Sequence, residues 1–309
     1  MTKKFTCPVG VMGMTDRLKA AELIEFVQFL EKLNYESFWI PELFGREIMA
    51  NTAYCIAHTE EIKIAPGIAN IYVRDPHATV QARQTLAEFA NGRFIFGLGV
   101  SNIGVQTTRG HKWKSPVEKF NEYLDAMSAA QRQITRYEQY NAAVESELST
   151  YDNLGPLLIA AHGPALQKIA KNRTDGALTY LMSPEHTKIS RERLGPKADL
   201  TVVIPALAET DEVYARDICR KSLAYYMELD YYQREWKKIG FENKDFLDKG
   251  SDRLLDYIVA WGSQETIEKR IKEHINAGAS RIVFFPLDTG FGDAKDSPTL
   301  KSMAPLITS

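Results

Sequence analysis

The chain has 309 residues, 25% charged and 44% hydrophobic, with a formal net charge of −2. That length suits two average domains or one α/β barrel, and the small net charge gives no electrostatic case for nucleic acid or an anionic membrane as partner. No run nears ~18 consecutive apolar residues, the start lacks a signal peptide's apolar core, and three scattered cysteines (Cys7, Cys55, Cys219) suggest neither disulfides nor a metal site, so a reducing cytoplasm fits.

Phe5 to Met12 reads as a first strand, ending in Gly10-Val11-Met12-Gly13. Thr15 is placed to cap a helix whose Ala20, Ile24, Val27 and Leu30 form an apolar stripe. Ser37 to Ile40 is a second strand, stopped by Pro41-Glu42, and a helix near Ile48 to His58 precedes the third. The stretch from Ile62 to Asn102 is the most strongly patterned. An apolar run, IKIAPGIANI, leads to a helix opened by Asp75-Pro76 and closed by Asn91-Gly92, and a second apolar run, RFIFGLGVSN, follows. Neither run alternates strictly, as expected of parallel strands covered on both faces. A long helix starts near Ser115-Pro116 and reaches about Tyr137; residues 141–156 read as a surface connection.

Leu157–Ala160, Ala177–Tyr180, Leu200–Ile204 and Arg281–Phe285 supply further strands, with helices opening after Gly163, at Ser183-Pro184, at Asp211 and at Ser263. Segment 230–259 is longer than a simple return needs and carries Tyr231, Tyr232, Trp236, Phe241, Phe246 and Tyr257. It reads as an aromatic-rich helical insertion within one domain spanning 1–309. Eight strands alternating with helices predict a (β/α)8 TIM barrel. A doubly wound sheet is the competitor, but the first βα turn lacks the dinucleotide fingerprint, and GRFIFGLGVSN has no third glycine opening a helix.

In a barrel the strand C-termini share one rim. Here it would gather Gly10 to Gly13, Glu42, Asn70 with Tyr72, Ser101 with Asn102, Ala161 to Pro164, Tyr180, Pro205 and Pro286. That set holds no metal-spaced cluster, Ser–His–Asp arrangement, carboxylate pair or P-loop. A rim poor in acids and bases points to a bound cofactor that performs the reaction while protein holds it. Gly67 inside a strand marks a bulge or the close approach of another group, with simple tight packing as the plainer reading. Ala161-His162-Gly163-Pro164 opens a helix whose first amides suit a phosphate, with a surface-loop histidine as the plainer reading of His162. Glu42 either caps the next helix or is catalytic. Trp39, Phe94 and Phe96 read as core; His58, His111 and His186 read as solvated.

As a set, these residues resemble the bacterial luciferase-like family of flavin- and deazaflavin-dependent barrel oxidoreductases. The likeness is carried by Phe38-Trp39-Ile40-Pro41-Glu42, by Gly67-Ile68-Ala69-Asn70-Ile71-Tyr72-Val73-Arg74-Asp75-Pro76, and by Gly92-Arg93-Phe94 with Gly97-Leu98-Gly99-Val100-Ser101. It continues through Ile159-Ala160-Ala161-His162-Gly163-Pro164, Asp175-Gly176, Trp261-Gly262-Ser263 and Ala277-Gly278-Ala279. The run from Gly67 to Pro76 is closer to the branch using coenzyme F420 than to FMN luciferases and alkanesulfonate monooxygenases.

The resemblance implies a cis non-proline bond at Gly67–Ile68 behind the cofactor ring, with Asn70 and Tyr72 on the same strand end. It also implies Val100, Ser101 and Asn102 along the cofactor, and a phosphate held by the amides of Ala161, His162 and Gly163, beside Pro164. Two departures stand out: Leu43 follows Glu42 where many deazaflavin members have histidine, and Val100 stands where some sugar-phosphate dehydrogenases have glutamate. His162 is then the most interesting ionisable rim group, because imidazole titrates near neutral pH, with Glu42 the other catalytic candidate. The expected activity is hydride transfer between F420 and a small organic substrate, under cover of segment 230–259. The alternatives are an FMN-dependent monooxygenase fed by a partner flavin reductase, and a flavin-binding protein without turnover. Family members are often dimers, so a homodimer is an expectation too.

Overall fold

Among the described residues ten parallel strands form one sheet: β1 (Val9–Met12), β2 (Ser37–Ile40), β3 (Lys63–Pro66), β4 (Ala69–Asn70), β5 (Phe96–Gly99), β6 (Leu157–Ala160), β7 (Gly176–Tyr180), β8 (Asp199–Leu207), β9 (Ala260–Trp261) and β10 (Arg281–Pro286). The computed structural model describes residues 5–104, 109–142, 153–289 and 297–307. The strands follow the path β3-β2-β1-β10-β8-β7-β6-β5-β4, with β9 added to β8. A bridge between Ile64 and Phe94 brings the two ends of that path together. β3 and β4 are two halves of one barrel position, so the nine strands of the path occupy the eight positions of a nearly closed TIM barrel.

The period-2 geometry of the strands sorts their side chains into two layers. Met12, Trp39, Ala65, Ile95, Leu158, Leu178, Val203 and Val283 fill the barrel interior. Val11, Phe38, Ile64, Phe96, Ile159, Ala177, Val202 and Ile282 face the surrounding helices. Arg281 closes the floor, pairing with Glu36 (3.1 Å) and Asp199 (2.9 Å) beneath the Trp39 ring.

Most helix boundaries follow their caps. Asp75 accepts from the amides of His77 and Ala78, Asn91 ends that helix in the left-handed region, and Ser183, Asp211 and Ser263 each cap the helix that follows. The first helix is a correction: it spans Ala20–Lys32, not a run from Thr15, and Ala20 is exposed. Thr15 is buried instead, its hydroxyl accepting from Asn51 Nδ2 at 3.0 Å. The long helix runs Pro116–Ala142, past Tyr137, and most of the expected surface connection lies outside the described residues. A short helix, Pro298–Met303, is an addition to the elements read from sequence, although Ser297-Pro298 opens it as Ser183-Pro184 opens another; it buries Leu300 and Met303, and Tyr35 donates to the Leu300 carbonyl.

In segment 230–259, helix Asp230–Lys238 buries Tyr232 and Trp236, and Trp236 Nε1 donates to the Leu181 carbonyl at 3.0 Å. Phe241 and Phe246 join the same cluster as the barrel-interior side chains. The segment therefore sits over the C-terminal ends of β7 and β8. β9 then pairs Ala206 and Leu207, the overhang by which β8 outruns β7. Among the described residues no helix is long and apolar enough to cross a membrane, and no group of three or more metal-type ligands is present.

Candidate functional site

The third barrel position breaks at Gly67–Ile68, where the peptide bond is cis. The glycines of β5 are shaped by that break. A Cβ on Gly97 would lie 2.3 Å from the Pro66 carbonyl oxygen, and one on Gly99 would lie 2.3 Å from Ile68 Cγ1. Ile68 thus lies across the end of β5 as a half-buried hydrocarbon shelf. Gly67 itself is closed in by Met12 and Trp39, within 3.0 and 3.2 Å of a Cβ placed there.

Glu42 leaves β2 buried. Its Oε2 accepts from the Asn70 amide (2.7 Å) and from Arg74 Nη1 (2.6 Å), while Oε1 accepts from Arg74 Nη2 (2.9 Å). Arg74 also reaches Glu47 (2.7 Å) and the Asn70 carbonyl (3.1 Å). Burial works against the Arg74 charge, but hydrogen bonds and attraction from Glu42 and Glu47 outweigh it and raise its pKa. Asn70 Oδ1 accepts from the Tyr72 amide at 3.0 Å. Tyr72 turns to another segment: its hydroxyl accepts from the Lys114 amide at 2.8 Å, and its ring stacks on Trp113. Arg74 is the partner that sequence reading missed as a functional residue, although it lay within the quoted run.

Beyond β5, Val100, Ser101 and Asn102 are half-buried, and Ser101 has φ +57°, a left-handed conformation that favours glycine. Asn102 Oδ1 accepts from Tyr225 Oη at 2.6 Å, which ties this loop to helix Glu212–Met227.

The amide trio expected at Ala161, His162 and Gly163 needs a correction. The Ala161 amide donates to the Leu178 carbonyl at 3.0 Å and is consumed by the sheet. The amides of His162 and Gly163 have no acceptor among the described residues. They precede helix Pro164–Arg173, whose cap residue Gly163 offers no side chain.

His162 is the second correction. Its Nε2 accepts from the Tyr180 amide at 3.1 Å, and its ring meets Tyr232, Tyr231 and His186 at centroid distances of 5.3, 6.3 and 6.4 Å. Burial, helped by His186, pushes its pKa down to about 3, so the ring is neutral at physiological pH and does not titrate there. His186, read from sequence as solvated, is buried. Its Nε2 donates to the His162 carbonyl at 2.9 Å, and Ser190 and Gln167 complete a chain back to the same loop.

At the mouth, Tyr180 ends β7 on the parity that points Leu178 into the barrel. Its ring lies 5.2 Å from Tyr226 and 5.9 Å from Phe285. Its hydroxyl is buried with no partner in hydrogen-bond geometry among the described residues. Strand parity at a rim position was the available sequence signal for it.

Residues 4–281 match the model of the family described as luciferase-like monooxygenase. The chain belongs to this family. The luciferase-like chain is 23% identical over 303 residues to the 5,10-methylenetetrahydromethanopterin reductase of Archaeoglobus fulgidus, an alignment covering 86% of this chain and 90% of that protein. An F420-dependent secondary alcohol dehydrogenase, solved with an F420–acetone adduct, superposes with a TM-score of 0.71 at 15% identity, covering 99% of this chain and 100% of that one. The oxygenating constituent of 3,6-diketocamphane monooxygenase from Pseudomonas putida, solved with FMN, superposes at 0.69 and 14% identity, covering 98% of both chains. At those identities the two superpositions establish the luciferase-like barrel fold.

Proposed function

We propose that this luciferase-like oxidoreductase transfers a hydride between coenzyme F420 and a small organic substrate at the strand-end rim. The observation that carries the reading is the Ile68 shelf over the β5 glycines, on the same rim as the uncapped amides of His162 and Gly163. The residues present fit such a cofactor: carbon for a ring face and free amides for a phosphate. When bound, the deazaflavin supplies two-electron hydride chemistry.

The chain's own side chains orient and shield. Ile68 supports one ring face. Glu42, locked to Arg74, is a positioning residue that holds the loop from Asn70 to Arg74. His162 serves as a neutral wall of the phosphate loop rather than a proton carrier. The aromatic segment over β7 and β8 excludes water from the mouth. Support for F420 comes from relatives named for it; the FMN-bound neighbour supports a second reading, a monooxygenase using flavin reduced by a partner enzyme.

Anaerobic titration of the protein with each reduced cofactor tests the order of the two. Tight F420 binding with weak FMN binding is expected, and tight FMN binding with none of F420 reverses it. Cofactor binding without spectral change on adding a broad panel of carbonyl compounds would leave a binding protein without turnover.

A further inference from the structure

The loops that follow β1 and β2 form a half-open pocket of about 180 Å³ lined by Met14, Asp16, Arg17, Leu43 and Phe44, and its exposed lining is almost wholly carbon. The Asp16 carboxylate is engaged by its own scaffold, accepting from the amides of Phe44 (3.3 Å) and Gly45 (3.0 Å). Those bonds fold the loop after β2 so that Leu43 and Phe44 form one wall. Arg109 steadies the same loop, donating to the Leu43 carbonyl and covering the Phe44 ring at 5.9 Å. Phe44 is nevertheless 63% exposed, as is Ile103 (51%) on the loop after β5.

The cavity shares a sector of the rim with the Ile68 shelf. Met12 registers against Trp39 and Trp39 against Ala65, so β1, β2 and the β3–β4 position are direct neighbours. A further tie runs through Glu42, which precedes Leu43 and bonds the Asn70 amide.

We propose that this cavity receives the non-reacting end of the substrate, an uncharged hydrocarbon group somewhat larger than a benzene ring. The proposal rests on the rim being the reaction site and adds the substrate class. Size supports it: an enclosed apolar cavity of about 150 Å³ accepts benzene, so this half-open one has room for a ring or a chain of roughly six carbons with one side left to solvent. Leu43, Met14 and Phe44 offer nothing to a sugar hydroxyl or a phosphate, Asp16 is spent on the loop amides and Arg17 shows the pocket almost only carbon, so a polar substrate end would lose most of its water without replacement.

The test uses cofactor-free protein and straight-chain 2-ketones from butanone to 2-undecanone, with binding read by calorimetry. Affinity should rise up to about fourfold per added methylene, the limit set by fully burying one CH₂ group, and level off once the cavity is full. Leu43→Trp, which fills the cavity, should remove the rise. Phe44→Ala, at an exposed position that does not threaten folding, should make the rise shallower. A flat series, or a slope unchanged in both variants, overturns the proposal. Cofactor titration separates the two readings. A normal ketone series without cofactor binding would defeat the hydride-transfer reading alone, whereas cofactor binding with a flat series would defeat only this one.

Discussion

The side chain of Ile68 occupies the space that a Cβ on Gly99 would need, with Cγ1 2.3 Å and Cδ1 2.5 Å from it. Gly99→Ala should therefore push Ile68 out of place and cost about 1–3 kcal/mol of stability, the usual range for overpacking a fitted site. Adding Ile68→Ala should restore most of that stability without restoring cofactor affinity, because the shelf itself is gone. Chemical denaturation of the four proteins in a double-mutant cycle measures the coupling. Strictly additive losses would show that the two residues do not share this space.

Arg74→Met should be far more damaging than its partly open position suggests. It strands the Glu42 carboxylate, whose side chain is 3% exposed, and breaking one half of a buried pair costs roughly 3–5 kcal/mol. Glu42→Gln together with Arg74→Met should recover part of the loss, since no buried charge remains unpaired. If Glu42 is a positioning residue, cofactor affinity should track stability across these variants. A Glu42→Gln protein of normal stability and affinity but without turnover would instead make the carboxylate catalytic.

The barrel was readable because its signals are local. Asp75-Pro76 and Asn91-Gly92 bound their helix where the structure does, and the run from Ser37 to Ile40 is a strand with those ends. The break between Pro66 and Ala69 could not be read from periodicity, since the apolar pattern continues through it; Gly67 inside the run hinted at a bulge, and the family resemblance supplied the cis bond. Side-chain roles were the least legible part. His162 looks titratable and His186 solvated in a linear chain, and only packing against Tyr232, Tyr231 and Ser190 shows His162 half-buried and His186 buried, both with lowered proton affinity. Likewise, nothing near Ala161 announces that β7 uses its amide. Long-range partners decide these roles, and short-range sequence pattern does not contain them.

Tyr225→Phe should separate rim order from stability. It deletes the hydroxyl that donates to Asn102 at 2.6 Å, at a residue 47% exposed. An exposed hydrogen bond contributes at most about 0.5–1.5 kcal/mol, so the melting temperature should move little. Cofactor affinity should fall up to about tenfold as the loop after β5 loosens, the binding equivalent of ~1.4 kcal/mol. Equal affinity in the two proteins would disconnect Asn102 from the cofactor.

Stability should fall on mild acidification, and the histidines set the sign. Burial is the largest cause lowering the proton affinity of His162, His186 and His274, and it takes His162 and His274 from 6.5 to about 3. The unfolded chain takes up protons below about pH 6.5 that these folded rings refuse, so unfolding gains as pH drops toward 3. Above about pH 7 both states are neutral at these sites and the dependence vanishes. Each fully depressed histidine can contribute up to about 1.4 kcal/mol per pH unit in that window. Urea unfolding between about pH 7 and 5 measures the slope, and His162→Asn should reduce it by one histidine's share. The same depression predicts that kcat has no break near neutrality owing to His162. A break close to 6.5 that disappears in His162→Asn would mean that the ring becomes accessible to protons during turnover, and would return it to the role of proton carrier.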